Sequence, residues 1–112
     1  MSKPRFEIFV GGKKQFYFRL MAPNNEIILR SEGYTTKASC KKGIQSIKKN
    51  AGKDARYLRQ TSRDGQQFFN LIAANHRIIG TSERYKSKSG MENGIESVKT
   101  NARSAKVNDT TV

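Results

Sequence analysis

One stretch of the chain is written twice. Residues 15–51 align with residues 66–102 at a constant offset of 51, without a gap, and 17 of the 37 aligned pairs are identical. Phe18 meets Phe69, Leu20 meets Leu71, Asn24 meets Asn75, and Ile27-Ile28 meets Ile78-Ile79. Ser31-Glu32-x-Tyr34 meets Ser82-Glu83-x-Tyr85, and Gly43-Ile44-x-Ser46 meets Gly94-Ile95-x-Ser97. A gap-free match of this length marks a duplication, and it restricts the fold to two copies of one supersecondary unit. Each copy has about 50 residues, close to the lower limit for burying a sufficient core. No linker rich in Pro, Gly or Ser separates them. The two copies are therefore expected to share one core in a single domain, 1–112, with repeats at approximately 6–56 and 57–107.

Within each copy the apolar period changes from two to about 3.6. Phe6, Ile8 and Val10 alternate as one face of a strand, and Gly11-Gly12-Lys13-Lys14 reads as a turn. In a second strand, 15–22, Phe16, Phe18, Leu20 and Ala22 take one side, with Tyr17, Arg19 and Met21 on the other. Pro23-Asn24-Asn25-Glu26 suits a hairpin leading into a third strand, 27–31, which is expected to pair Leu20 with Leu29 and Ala22 with Ile27. That register points Ile28 and Arg30 outward, and likewise Phe68, Ile72 and Ile79 in the second copy. Thr35-Thr36 offers a helix N-cap, and Cys40, Ile44, Ile47 and Ala51 form a single helical stripe over 37–51, with Gly52 as a stop. Residues 55–62 read as a strand that ends one unit and begins the next, because Tyr57 stands at the offset of Phe6. In the second copy, 66–74 and 77–82 read as strands. The helix at 88–102 has the stripe Met91, Ile95, Val98 and Ala102, with Ser89-x-x-Glu92 as a capping box and Ser87 as the rival cap. Ala105-Lys106-Val107 fits either a last strand or a tail.

The segments Ile78-Ile79-Gly80-Thr81-Ser82-Glu83-Arg84-Tyr85 and Asn93-Gly94-Ile95-Glu96-Ser97-Val98-Lys99-x-Asn101-Ala102 resemble the YegP-like family of bacterial tandem-repeat proteins. The likeness runs from Phe6 to about Ala102. The first copy departs from the pattern where Gln45 replaces the Glu and Lys42 the Asn. The resemblance implies an α+β fold: tandem β(3)-α-β repeats with exchanged terminal strands, sharing one antiparallel sheet, with two helices packed on one face. It favours a strand over a tail after Ala105. It supplies no catalytic residue and no ligand to carry over.

The formal net charge of +13 draws the chain toward polyanions: nucleic acid, an acidic protein surface or anionic lipid. Residues 1–56 hold 13 Lys and Arg against 4 Asp and Glu; residues 57–112 hold 9 against 5. Lys41, Lys42, Lys48 and Lys49 are the candidate nucleic-acid contacts, because Glu92, Asn93 and Thr100 stand at the counterparts of Lys41, Lys42 and Lys49. The repeat does not demand this lysine surface. The sheet face away from the helices offers a second candidate surface, Tyr17, Arg19, Arg30 and Phe68, suited to base stacking, to another protein or to a second copy of the chain. The partner classes that fit are nucleic acid or an acidic protein. A monomer is expected, with a homodimer as the alternative.

Other chemistry finds little support. A single Cys excludes an internal disulfide framework. No apolar run reaches the length of a membrane span and no signal-peptide core follows Met1, so a cytoplasmic protein is expected. One His and one Cys do not make a zinc site, and no cofactor is expected. Cys40 shares its stripe with Met91 and reads as core filler, while His76 reads as a solvated turn residue. The Ser-Glu-x-Tyr sets could serve acid–base chemistry. Their position before both helices instead favours caps, with the Tyr anchoring the strand-to-helix corner, and no enzyme is expected. The sequence therefore reads as an accessory binding module, nonspecific toward nucleic acid through the first helix, or alternatively a protein–protein or self-association module using the outer sheet face.

Overall fold

Alternation and helical stripe settle which residues go inside: Phe6, Ile8, Phe18, Leu20, Ile44 and Ile47 are fully buried, as are Phe69, Leu71, Ile95 and Val98. The computed structural model describes residues 3–111. Its order is β1 (Arg5–Val10), β2 (Phe16–Met21), β3 (Ile27–Arg30), α1 (Lys37–Asn50), β4 (Tyr57–Thr61), β5 (Gln67–Ile72), β6 (Ile78–Thr81), α2 (Lys88–Asn101) and β7 (Lys106–Asp109). The strands form one sheet in the order β4-β5-β6-β3-β2-β1-β7. β3 and β6 meet at its centre, with Arg30 opposite its own repeat counterpart Thr81. A pseudo-twofold axis therefore passes between them. α1 packs on β2 and crosses onto β5 and β6, while α2 packs on β5 and crosses onto β3. Buried residues of both repeats form one cluster. Each fully buried Leu, Ile or Phe in it contributes about 1.5–3 kcal/mol.

The sheet is mixed rather than wholly antiparallel. The segment after Ala105 is a strand, and β7 runs parallel to β1, from Arg5 beside Lys106 to Ile8 beside Asp109. Thr110 fastens its end, donating from both N and Oγ1 to the Ile8 carbonyl at 3.0 and 2.6 Å. The other sheet edge, β4, stays open. An open edge invites pairing with another chain, and an inward-pointing charge is one way to blunt it. Arg59 takes the place that Ile8 has in β1, and it is held over the edge by Glu92 and Asp54 at 2.6 and 3.0 Å.

A bulge revises the expected hairpin register. Leu20 pairs with Leu29 as expected, but Met21 faces Ile27 and the Ala22 N–H bonds to the Glu26 carbonyl, so Ala22 does not pair with Ile27. Ile28 is the extra residue, and an extra residue breaks strict alternation. Ile28 therefore joins the core instead of the outer face. Ile79 does the same at the matching bulge of β5 and β6. Met21 and Ile72 keep their places outside that core cluster although both are buried.

The Ser-Glu-x-Tyr corners are built alike. Ser31 does not cap α1. Its hydroxyl accepts the Phe18 N–H at 2.8 Å and donates to the Glu32 carbonyl at 2.8 Å, closing the ladder where the chain leaves the sheet. Ser82 does this for Phe69 and Glu83 at 3.0 and 2.8 Å. The chain returns at Tyr34, whose backbone exchanges two 2.7 Å bonds with Phe16, as Tyr85 does with Gln67. Each Tyr ring then lies against a helical glycine. A Cβ on Gly43 would sit 2.9 Å from Tyr34 Cζ, and one on Gly94 2.7 Å from Tyr85 Cζ. This close approach explains why both helices accept a residue costing ~1 kcal/mol in helix propensity.

Thr36 and Ser87 are the N-caps, accepting the N–H groups of Ser39 and Gly90 at 3.1 and 3.0 Å; Ser87, not Ser89, starts α2. At the end of α1, Gly52 does not adopt a positive φ. Asn50 instead folds its side chain back to the Ser46 carbonyl at 2.8 Å, and Asn101 does the same to Ser97 at 2.9 Å. The strand expected over 55–62 is shortened to β4 by a 3-10 turn at Asp54–Arg56.

Candidate nucleic-acid interface

Successive helical residues are rotated by about 100°. With Cys40, Ile44 and Ile47 facing the sheet, Lys41 and Lys48 fall on the flank toward β1 and β7, while Lys42 and Lys49 fall on the outer surface. Lys41, Lys42 and Lys49 are exposed. Lys48 is half-buried, with its Nζ 5.8 Å from the centre of the Phe6 ring. Lys41 and Lys42 border a shallow depression of about 440 Å³ with Gln45, Val107 and Asp109. Among the described residues none of the four lysines is in an ion pair.

The second repeat shows what the same surface looks like when neutralised. Lys99 copies the pose of Lys48, with its Nζ 5.6 Å from the Tyr57 ring centre, but it also pairs with Asp54 at 3.1 Å and Glu96 at 3.6 Å. Arg59 adds Glu92 to that network. At the 51-residue offset the three carboxylates Asp54, Glu92 and Glu96 become Lys3, Lys41 and Gln45, and Arg59 becomes Ile8. Three carboxylates against two cations on one repeat thus correspond to three lysines on the other, where the one bordering carboxylate, Asp109, is held by Lys37 at 2.9 Å. Lys3 belongs to this set and was missed; extending the repeat alignment upstream of residue 15 finds it.

The outer sheet face is more self-contained than its composition implies. Arg19 Nε bonds Glu7 at 2.9 Å, and its guanidinium lies 4.8 Å from the Phe9 ring centre. Tyr17 stacks on Phe9 at 5.7 Å. Arg30 pairs with Glu83 at 2.8 Å, across the seam between repeats. Phe68 lies under Arg84 at 4.7 Å. Tyr17 and Arg19 thus meet on Phe9, and Arg30 stands opposite Arg19 across β2 and β3, while Phe68 packs with Arg84 in the second repeat. The two arginines are already engaged with carboxylates.

Of the remaining candidates, Tyr34 and His76 line a cleft that Lys42 also borders. Cys40 is fully buried, and burial, with the Asp109 carboxylate behind it, pushes its thiol up to about 11. A thiol so raised is a poor nucleophile near neutrality. His76 stands exposed in the β5–β6 turn with a φ of 67°. Tyr34 and Tyr85 are half-buried, and burial pushes both phenols up, helped at Tyr34 by Cys40 and then Glu32 and at Tyr85 by Glu83 and then Glu26.

Two strand–strand–strand–helix units closing on one sheet, with one strand exchanged at the end, define a pseudo-symmetric tandem-repeat α+β protein. Residues 13–57 and 62–109 each match the model of a domain of unknown function, DUF1508, and the chain belongs to this family. It is 53% identical to a UPF0339 protein of Bordetella pertussis over 87% of each chain. It is 47% identical to the UPF0339 protein YegP of Escherichia coli over 95% of this chain and 96% of that one. The solution structure of the E. coli YegP superposes with a TM-score of 0.91 at 44% identity, over 98% of this chain and 95% of the other. That of a UPF0339 protein of Shewanella oneidensis gives 0.89 at 41% identity, over 97% and 92%.

Proposed function

We propose that the protein is a small non-catalytic accessory module that binds the nucleic-acid backbone, without reading bases, through the exposed surface of α1. One observation carries this reading. Lys41, Lys42, Lys48 and Lys49 are free of carboxylate partners among the described residues, whereas the corresponding surface of α2 is neutralised by Asp54, Glu92 and Glu96. Unneutralised lysines on a convex helix suit phosphates as point charges and impose no sequence preference.

Anisotropy titrations of labelled single- and double-stranded DNA and RNA, at about 50 and 200 mM salt, test it. Affinity should fall steeply with salt, with a slope of about −0.9 on duplex DNA for each phosphate neutralised. Replacing the four lysines by Gln should remove most of that slope, while replacing Lys86 and Arg103 on the other repeat should not. Absence of binding at the lower salt would end the reading.

A second reading, protein–protein contact or self-association through the outer sheet face, is supported by the Phe9–Tyr17 stack and by Phe68 under Arg84 on a face that no helix covers. Binding of that kind would be insensitive to salt and lost on Tyr17→Ala or Phe68→Ala. Sedimentation velocity distinguishes self-association from a foreign partner.

A further inference from the structure

The seam between the repeats opens into two related clefts, each formed where the hairpin tip of one repeat meets the tyrosine corner of the other. The larger, about 610 Å³, is lined by Glu32, Tyr34 and Lys42 of the first repeat and by His76, Arg77 and Ile79 of the second. The smaller, about 400 Å³, is lined by Glu83 and Tyr85 of the second repeat and by Asn25, Glu26 and Ile28 of the first. These are counterparts at the 51-residue offset. The Glu, the Tyr and the Ile are common to both clefts.

What differs is the charge. His76 stands where the smaller cleft has Asn25, and Arg77 where it has Glu26; Lys42 stands at the position of Asn93. The carboxylates differ as well. Glu83 is held by Arg30 at 2.8 Å, but the counterpart of Arg30 is Thr81, and Glu32 is in no ion pair among the described residues. Lys42 and Arg77 are likewise unpaired there. The duplication thus supplies its own control: one cleft keeps the shared frame with acidic or neutral groups, and the other carries two cations, an imidazole and a free carboxylate.

We propose that the larger cleft binds a small phosphomonoester that also carries hydroxyl groups, the chemistry of a sugar phosphate. A phosphate dianion between Lys42 and Arg77 would be matched in charge, and Arg offers paired donors to its oxygens. Glu32 accepts hydrogen bonds only, so it selects hydroxyls on the rest of the ligand. The same carboxylate repels a second phosphate, which sets this ligand apart from a nucleic-acid strand. Ile79 supplies an apolar wall. The proposal does not rest on the polyanion reading, because only Lys42 is common to the two surfaces.

A ¹⁵N-labelled full chain titrated with ribose 5-phosphate, inorganic phosphate and ribose tests it. Ribose 5-phosphate should saturably shift the amides of Tyr34, Gly43, His76 and Arg77 and leave those of Asn25, Glu26 and Tyr85 in place. Its affinity should exceed that of phosphate alone, and that margin should shrink in Glu32→Gln. Arg77→Glu places in this cleft the residue its twin already has and should weaken ribose 5-phosphate at least about tenfold. No shifts at about 10 mM ligand, equal shifts in both clefts, shifts confined to Lys41, Lys48 and Lys49, or unchanged affinity in Arg77→Glu would each overturn the assignment.

Discussion

Leu29 and Gly80 hold the same place in their two repeats, and only one of them has room for a side chain. They face each other across the β3–β6 seam, where a Cβ on Gly80 would sit 2.7 Å from Cγ and Cδ2 of Leu29. Leu29 is fully buried and has no space to yield. The pseudo-twofold axis brings identical positions together, so perfect repetition would place two leucines in one volume. The sequence breaks its own symmetry at that point.

Restoring the repetition should therefore harm the fold. Gly80→Ala is expected to cost about 1–3 kcal/mol through overpacking. Leu29→Ala alone should cost about 2–5 kcal/mol through the cavity it leaves. Combined, they should cost less than the sum, because each relieves the other's defect. Urea unfolding of the three variants reads the coupling directly.

Tyr57 carries a hydroxyl that its counterpart Phe6 lacks. It donates to the Ala51 carbonyl at the end of α1 at 2.6 Å, in a buried setting. Tyr57→Phe keeps a ring that the equivalent site already accommodates, and it leaves that carbonyl without its partner. The expected loss is about 1–3 kcal/mol, seen as a lower midpoint in urea at unchanged slope.

The open edge offers a sharper test. Arg59→Ile gives β4 the residue β1 has, without the covering strand that β1 has in β7. It also releases Glu92 and Asp54. The variant is expected to self-associate through β4, visible as concentration-dependent sedimentation, while the parent chain shows none through this edge.

Acid should loosen β7. The Thr111 N–H and hydroxyl, then the Lys37 ammonium, hold the Asp109 carboxyl well below its ordinary value of 3.8. Burial pushes Glu7 up, but Arg5 and Arg19 outweigh it and leave the group below its ordinary 4.5. A carboxyl lowered in the folded state binds protons less readily there than when unfolded. Its stabilisation is complete above the ordinary value and is lost as pH falls below it toward the lowered one. Protection against hydrogen exchange at Lys106–Asp109, after division by the intrinsic exchange rate, should fall from about pH 4 downward; in Lys37→Gln the onset should stay in place, while the protection lost to acid should be smaller and its loss should end at a higher pH.

The repeat and the two periodicities made the elements, their order and most of the core legible in the residues alone. Phe18, Leu20 and Ile44 follow from spacing. Ile28 and Ile79 did not, because one added residue in a bulge reverses the alternation and leaves no trace in composition. That a strand follows Ala105 was legible only through family resemblance, since Lys-Val-Asn-Asp has little strand character of its own; its parallel pairing with β1 was not legible, the sheet being expected antiparallel throughout. The lysines of α1 could be read by comparing copies. The larger cleft could not: Tyr34 and His76 lie 42 positions apart, and they share it only because β6 pairs with β3.

The pairing of β7 with β1 also sets an order of events during synthesis. β1 leaves the ribosome before every other strand of this sheet, yet the strand that completes it is made roughly a hundred residues later. Until then its outer edge, with Phe6 and Ile8 behind it, has no cover. Contacts between such distant segments form slowly. The growing chain passes through a stage in which its first strand is the exposed margin of a half-built sheet, and a chaperone or a neighbouring nascent chain would meet it there.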